Sequence, residues 1–393
     1  MIGISKLYCD TIEPSDALRY NRNSNELPSH LLQFSKDKKP VIVWNITRAC
    51  NLKCIHCYAK AVEKSKENEL NHEEGISLIN NLADFGAPVV LFSGGEPLMR
   101  KDLTTLAYHA VKRGMRAVIS TNGTLISKDK AKELKDIGLS YVGVSLDGLM
   151  EVNDRFRAVH GAFNQAISGI RNCMGEGLKV GLRFTINKIN YRELSEIFNL
   201  IERENIPRAC FYHLVYAGRG SDLIKEDLTH EETRRVVDLI IDRTKDLHDR
   251  GKPTEILTVD NHADGPYLYM KMLKENNPRA SAVMELLRMN EGNSSGHGIG
   301  CVSWDGTVHA DQFWRHLSFG NVRDRHFGEI WTDSSIEILS KLKNKKKHVT
   351  GRCSSCKWLD ICGGNFRVRA EAVYSDIWAP DPACYLSDDE IKQ

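Results

Sequence analysis

Short apolar runs alternate with amphipathic stretches across residues 41–215. Val41-Ile42-Val43-Trp44-Asn45-Ile46 and Val89-Val90-Leu91-Phe92 read as buried strands, and residues 72–85 carry Ile76, Ile79, Leu82 and Phe85 at helical spacing. The same rhythm predicts helices at 102–113, 127–137, 161–175 and 191–203, with Asp102 at the start of the first. It predicts strands at 116–120, 141–146, 179–186 and 209–215. Short strands separated by helices imply βαβ crossovers and a parallel sheet. Six such units are fewer than the eight of a closed barrel. The expected fold is therefore α/β, an open, partial (β/α)6 barrel. Ligands of parallel sheets gather at the carboxyl ends of the strands, and Cys50, Gly94 and Asn122 each fall just after a strand.

The pattern changes outside this region. Residues 1–40 are polar, with Pro14 and Pro28, and read as an irregular leader; the barrel is expected over 41–225. Residues 226–300 read as a bridge, with a long charged helix at 229–250 and a less regular segment at 251–300 that ends as a Gly/Ser/Asn-rich linker. Residues 301–393 are expected to form a smaller domain, with Lys341 to Lys347 as solvated surface. A length of 393 residues suits two linked domains. Lys+Arg at 54 against Asp+Glu at 52 gives no sign of a nucleic-acid partner. No apolar run nears the ~18 residues of a membrane span, and the N-terminus does not read as a signal peptide, so the cytoplasm is the expected location.

Cysteine usage sharpens the picture. Of eleven cysteines, seven fall in two groups with ligand-like spacing. Cys50-x3-Cys54-x2-Cys57 supplies three thiolates, enough to hold three irons of a cubane and leave the fourth open. Structural zinc normally takes four ligands, and His56 as the fourth would be cramped beside Cys57. Cys353-x2-Cys356-x5-Cys362 and the later Cys384 supply four, which suit a closed cluster or a zinc ion about equally well. Cys9, Cys173, Cys210 and Cys301 lack such spacing and read as packed or free thiols.

The first group, followed by Gly94-Gly95-Glu96-Pro97, resembles the radical S-adenosylmethionine (SAM) superfamily. That resemblance implies a 4Fe–4S cluster on Cys50, Cys54 and Cys57, whose open iron is chelated by SAM. Reductive cleavage of SAM would give a hydrogen-abstracting 5′-deoxyadenosyl radical. It further implies that Gly94, Gly95, Glu96 and Pro97 meet the SAM methionine, with Glu96 receiving the ammonium. Asn122, Ser145 and Arg183 resemble further SAM contacts, Arg183 with the carboxylate, which suits its planar fork of donors. Tyr212 to Gly218 would lie near the adenine. The second group resembles a SPASM/twitch-like C-terminal domain, implying an auxiliary 4Fe–4S cluster on Cys353, Cys356, Cys362 and Cys384. Full SPASM domains carry further cysteines where this chain has Phe366 and Asp311. One auxiliary cluster, and two clusters in all, are therefore implied.

Three local segments, Leu27 to Phe34, Thr258 to Gly265 and Asp311 to His316, resemble the tetrapyrrole-modifying branch of the superfamily. Within it the chain looks most like the family that removes two acetate side chains from 12,18-didecarboxysiroheme, leaving methyl groups, to make Fe-coproporphyrin III for haem. A sibling in haem d1 synthesis removes propionates instead. The resemblance implies an iron tetrapyrrole substrate and an electron donor of the ferredoxin or flavodoxin class. A flat macrocycle fringed with carboxylates calls for aromatic walls and cations, so His262, His309, Asp311, Trp314, Arg315 and His316 are candidate substrate contacts. His262 or His309 could ligate the substrate iron, while Phe313 and Trp314 read equally well as core. The alternatives are a SPASM-type peptide maturase, for which no leader-peptide module is evident, and a non-catalytic zinc scaffold.

Overall fold

The computed structural model describes residues 1–12, 39–65 and 68–392. Among these, ten strands form one sheet: β1 (Ile2–Gly3), β2 (Val41–Thr47), β3 (Val89–Gly94), β4 (Arg116–Thr121), β5 (Tyr141–Ser145), β6 (Val180–Ile186), β7 (Arg208–His213), β8 (Glu255–Val259), β9 (Ile299–Val302) and β10 (Val308–His309). Their order is β1-β8-β7-β6-β5-β4-β3-β2-β9-β10. From β2 to β8 every neighbouring pair is parallel, and β9 adds parallel to the other side of β2. β1 and β10 pair antiparallel at the two ends and do not meet each other, so the barrel is open.

The six strands expected from the apolar pattern form the centre of this sheet. Ile42, Val43, Trp44 and Ile46 of β2 are all buried, as both faces of a helix-covered parallel strand must be. Helix His72–Phe85 opens with a reciprocal Asn71–Glu74 capping box, buries Leu78, Ile79 and Leu82, and ends at Gly86 in the left-handed region. Asp102 does precede helix Leu103–Lys112, but its carboxylate binds Arg100 at 2.7 Å and His72 at 3.0 Å rather than a helix N–H.

The expectation for 251–300 is corrected. This segment contains β8 and the helices Asp264–Lys274 and Ala280–Asn290, and β9 starts at its end. β8 follows Pro253-Thr254, opens with Glu255 and holds Thr258, so no unbroken apolar run declares it. Its consequence is functional, because its carboxyl end brings Asp260 and His262 to the same rim as the first cysteine group. Lys345, within the run read as solvated surface, is buried, with Nζ donating to the Ser295 carbonyl at 3.4 Å. The segment Leu27 to Phe34 lies outside the described residues. Among the described residues no helix is long and apolar enough to cross a membrane.

Candidate active site and metal centres

Cys50, Cys54 and Cys57 sit on the loop after β2, and all three line a deep recess at the carboxyl ends of the strands. The loop is pinned along its length. Lys53 and Ile55 N–H donate to the Arg157 and Phe156 carbonyls at 3.1 and 3.0 Å, and Arg219 Nε donates to the Cys54 carbonyl at 2.8 Å. Arg157, buried and ion-paired with Asp147, donates from Nη1 to Cys54 Sγ at 3.4 Å. His56 directs Nε2 to Asp147 at 3.2 Å, so it is not turned to complete a fourth ligand.

The glycines after β3 are required by close approach. A Cβ on Gly95 would lie 2.0 Å from the Ala49 carbonyl oxygen, and one on Gly94, at φ +119°, would lie 2.4 Å from the Thr47 oxygen. The two loops are stitched together by Gly95 N–H to Thr47 O at 2.8 Å and Glu96 N–H to Ala49 O at 2.7 Å. Pro97 starts the short turn Pro97–Met99 that follows.

Glu96 departs from the sequence expectation. It is fully buried, and its carboxylate accepts from Thr121 Oγ1 at 2.7 Å, Asn122 N at 2.8 Å and Leu98 N at 3.1 Å. Those bonds brace the ends of β3 and β4 and occupy the carboxylate from three donors. Burial raises its pKa, and the Asn122 and Thr121 donors oppose that shift. Asn122 lines the recess and donates Nδ2 to Asn51 Oδ1 at 2.8 Å beside Cys50. Ser145 and Arg183, neighbours in register on β5 and β6, both line the recess. Arg183 donates to Ser120 Oγ, lies 5.6 Å from the Tyr212 ring, and keeps a buried Nε without a partner among the described residues.

The candidate substrate contacts divide sharply. His262 and Asp311 line the recess. His309 does not; its ring is held between Ser303 Oγ at 3.0 Å and the Leu317 carbonyl at 2.8 Å. Trp314 is fully buried core. Arg315 stacks 3.9 Å above Trp304 and donates to the Ala59 carbonyl at 2.9 Å, so it supports the cysteine loop from behind. His316 pairs with Glu371 on the surface at 2.9 Å. The recess is also lined by Phe313, which the sequence offered equally as pocket wall or core, and by Tyr58, Asp147, Asp260 and Phe366, which were not among the candidate substrate contacts. Phe313 meets Tyr58 at 5.4 Å and Phe366 at 5.5 Å, edge to face, forming one aromatic wall. The signal for Phe366 lay in the departure from the SPASM cysteine pattern; for Asp260 it lay in the Thr258 to Gly265 resemblance, and for Asp147 in its place at a strand end beside Ser145.

Cys353, Cys356, Cys362 and Cys384 line a second pocket, walled by Ala263, Trp358, Leu359, Leu386 and Ile391. Burial pushes the Cys50, Cys362 and Cys384 thiols up to about 12, so only a bound cation would draw off their protons at neutral pH. By number and chemistry both donor sets fit iron–sulfur cubanes, the first short of one ligand and the second complete. Cys301 is buried, its sulfur accepting from Asn45 Nδ2 at 3.5 Å.

The C-terminal unit is locked to the strand ends. Arg369 is fully buried, pairs with Asp381 at 2.8 Å, and donates to the Leu214 and Asp260 carbonyls at 3.1 and 2.6 Å. Asn365 Oδ1 accepts from His262 N at 2.7 Å, and Asn261 Nδ2 donates to the Ala383 carbonyl at 2.9 Å.

Comparison with known proteins agrees with this geometry. Residues 44–201 match the Radical SAM superfamily, and residues 297–357 match an iron–sulfur cluster-binding domain. The chain is 68% identical over 394 residues to the Fe-coproporphyrin III synthase of Methanosarcina barkeri, covering 100% of this chain and 99% of that one. It is 41% identical over 353 residues to the pre-heme d1 synthase of Dinoroseobacter shibae, covering 89% and 87%. Streptococcus suis SuiB shares the fold, with a TM-score of 0.70 at 20% identity over 91% of this chain and 79% of that one. Two 4Fe–4S clusters and SAM are the cofactors of this architecture. The chain belongs to the Fe-coproporphyrin III synthase family of radical SAM enzymes.

Proposed function

We propose that this enzyme removes two acetate side chains from 12,18-didecarboxysiroheme and releases Fe-coproporphyrin III. The observation that carries the substrate is the end-to-end 68% identity to an Fe-coproporphyrin III synthase, against 41% to a pre-heme d1 synthase. Cys50, Cys54 and Cys57 hold the SAM cluster, and Cys353, Cys356, Cys362 and Cys384 hold the auxiliary one. When bound, the first cluster and SAM supply a 5′-deoxyadenosyl radical.

The chain's own residues position and shield that chemistry. The Arg157 guanidinium at Cys54 Sγ stabilises added negative charge on the site and favours its reduction. Arg183, with an unpartnered Nε in the recess, receives a carboxylate, and Ser145 lies beside it in register. Gly94 and Gly95 let their backbone close against the cysteine loop, which sets the surface offered to the SAM methionine, while Glu96 keeps Thr121 and Asn122 in place behind it. Tyr58, Phe313 and Phe366, packed edge to face, give the macrocycle an aromatic wall. The buried Arg369–Asp381 pair draws the C-terminal unit over the strand ends, which holds substrate beside SAM and keeps water out. Electrons come from a donor of the ferredoxin or flavodoxin class, and the enzyme works in the cytoplasm.

The test is anaerobic incubation of reconstituted enzyme with 12,18-didecarboxysiroheme, SAM and a reductant, followed by mass analysis of the tetrapyrrole. Loss of both acetates supports the assignment. Loss of propionates would move the chain to the haem d1 branch.

A further inference from the structure

Three imidazoles line the recess, those of His56, His213 and His262. Two are already engaged: His56 Nε2 lies 3.2 Å from Asp147, and His213 Nε2 lies 2.9 Å from Asp264. The His262 ring is different. Its Nδ1 is buried without a partner, and its side chain makes no hydrogen bond among the described residues. Leaving a buried polar nitrogen unmatched costs free energy, and such a group in a native site calls for an explanation. Burial first, then the positive charges of the N-terminus, Lys345 and Arg369, hold its pKa well below the ordinary imidazole value. The ring is therefore neutral at pH 7 and offers a lone pair rather than a charge.

The backbone beneath this ring is fixed. His262 N donates to Asn365 Oδ1 at 2.7 Å, Asn365 Nδ2 donates to Asn261 Oδ1 at 2.7 Å, and Ala263 N donates to Asn261 Oδ1 at 3.2 Å. An imidazole held this firmly, without a partner of its own, is prepared for an external acceptor of its lone pair.

The same recess contains a second departure. Asp311 and Phe366 occupy the two positions at which full SPASM domains carry additional ligand cysteines, and both line the recess with His262. Asp311 is held by Ser295 Oγ at 2.6 Å and Phe313 N at 2.8 Å, and Phe366 packs edge to face on Phe313. At these two positions the recess is bounded by the Phe366 ring and the Asp311 carboxyl, with Phe313 beside them. A flat iron macrocycle matches that lining.

We propose that His262 is the axial ligand of the substrate iron, and that the macrocycle lies against Phe313 and Phe366 in the space where cluster ligands have been replaced. The proposal rests on the iron-tetrapyrrole reading above and adds the residue that grips the metal. Ligation fixes the iron, and with it the centre of the macrocycle, so that rotation about the His262–iron axis brings one acetate-bearing ring and then the other toward SAM.

The experiment titrates reconstituted enzyme anaerobically with iron(III) coproporphyrin III and, in parallel, with metal-free coproporphyrin III, following absorbance and electron paramagnetic resonance. Native enzyme and His309→Ala are expected to give the spectrum of an imidazole-ligated iron, because His309 is satisfied elsewhere. His262→Ala is expected to lose that signature and regain it on addition of free imidazole, while metal-free coproporphyrin III binds all three proteins alike. His262→Cys is expected to shift the iron spectrum to that of a thiolate ligand, which guards against loss of signal through misfolding. An unchanged iron spectrum in both His262 variants overturns the proposal and leaves the substrate reading intact. If neither porphyrin binds native enzyme, the tetrapyrrole reading falls and the proposal falls with it.

Discussion

The two cysteine groups use the same side chain to opposite ends. The first lies on a loop at the mouth of β2, three thiols facing a recess shared with Ser145, Arg183 and the aromatic wall. The second lies in a largely apolar pocket of its own, lined by four thiols. A guanidinium donates directly to a sulfur in the first, at Cys54. What separates the two is completeness of coordination: three ligands leave a metal site available to a substrate, and four close it. Asn365 and Asn261 link the regions, since they fix the His262 backbone on one side and border the second pocket or its Cys384 loop on the other.

Breaking the first region should have the largest effect. Cys54→Ser is expected to abolish 5′-deoxyadenosine formation and to lower iron from about eight to about four per chain, read by chromatography and iron assay. Continued SAM cleavage in that variant would refute the assignment of the open site. Gly95→Ala should be nearly as damaging. Its Cβ meets the Ala49 carbonyl oxygen at 2.0 Å, and overpacking of about 1–3 kcal/mol predicts roughly 5–150-fold weaker SAM binding. The second region should keep its irons, and calorimetric SAM titration with an iron count checks both points.

A subtler change sharpens the contrast. Arg157→Gln removes the donor 3.4 Å from Cys54 Sγ, so the midpoint potential of the first cluster should move negative while that of the second stays put. Redox titration followed by electron paramagnetic resonance reads each separately. Equal shifts in both would deny that the arginine acts locally.

The smallest expected effect is on pH dependence. Burial raises the Asp260 pKa from 3.8 to about 6, so the folded protein binds this proton more tightly than the unfolded chain does. Its contribution to stability is therefore lost as pH rises through the window from about 4 to about 6. Asp260→Asn should gain in thermal midpoint relative to the native protein as pH rises from about 4 to about 6, with a constant difference above that. A difference independent of pH throughout would place the carboxyl in water.

Much of this was legible before the structure because it was local. The six central strands declare themselves by unbroken apolar runs such as Val89 to Phe92, and the cysteine groups by spacing within one loop. β8 and β9 escape the pattern because Glu255 and Thr258 break the apolar run of β8 and glycine-rich sequence surrounds and enters β9. Glu96 was assigned to SAM through its motif, yet its carboxylate is held by Thr121 and Asn122, some 25 residues along the chain. Arg157 reaches Cys54 across 103 residues, and Arg369 reaches Leu214 across 155. Lys345 was read from its charged neighbours, whereas burial depends on what folds over it. Contacts of that range depend on the three-dimensional path of the chain, which no window of sequence contains.

The central claim is that the two regions perform separable tasks on one substrate, and Cys384→Ala tests it most directly. In a single anaerobic reaction with 12,18-didecarboxysiroheme, 5′-deoxyadenosine and Fe-coproporphyrin III are measured together. The account predicts that this variant retains about four irons and continues to form 5′-deoxyadenosine, while Fe-coproporphyrin III is lost. Full tetrapyrrole product from the variant, or loss of both products with the first cluster intact, would contradict it.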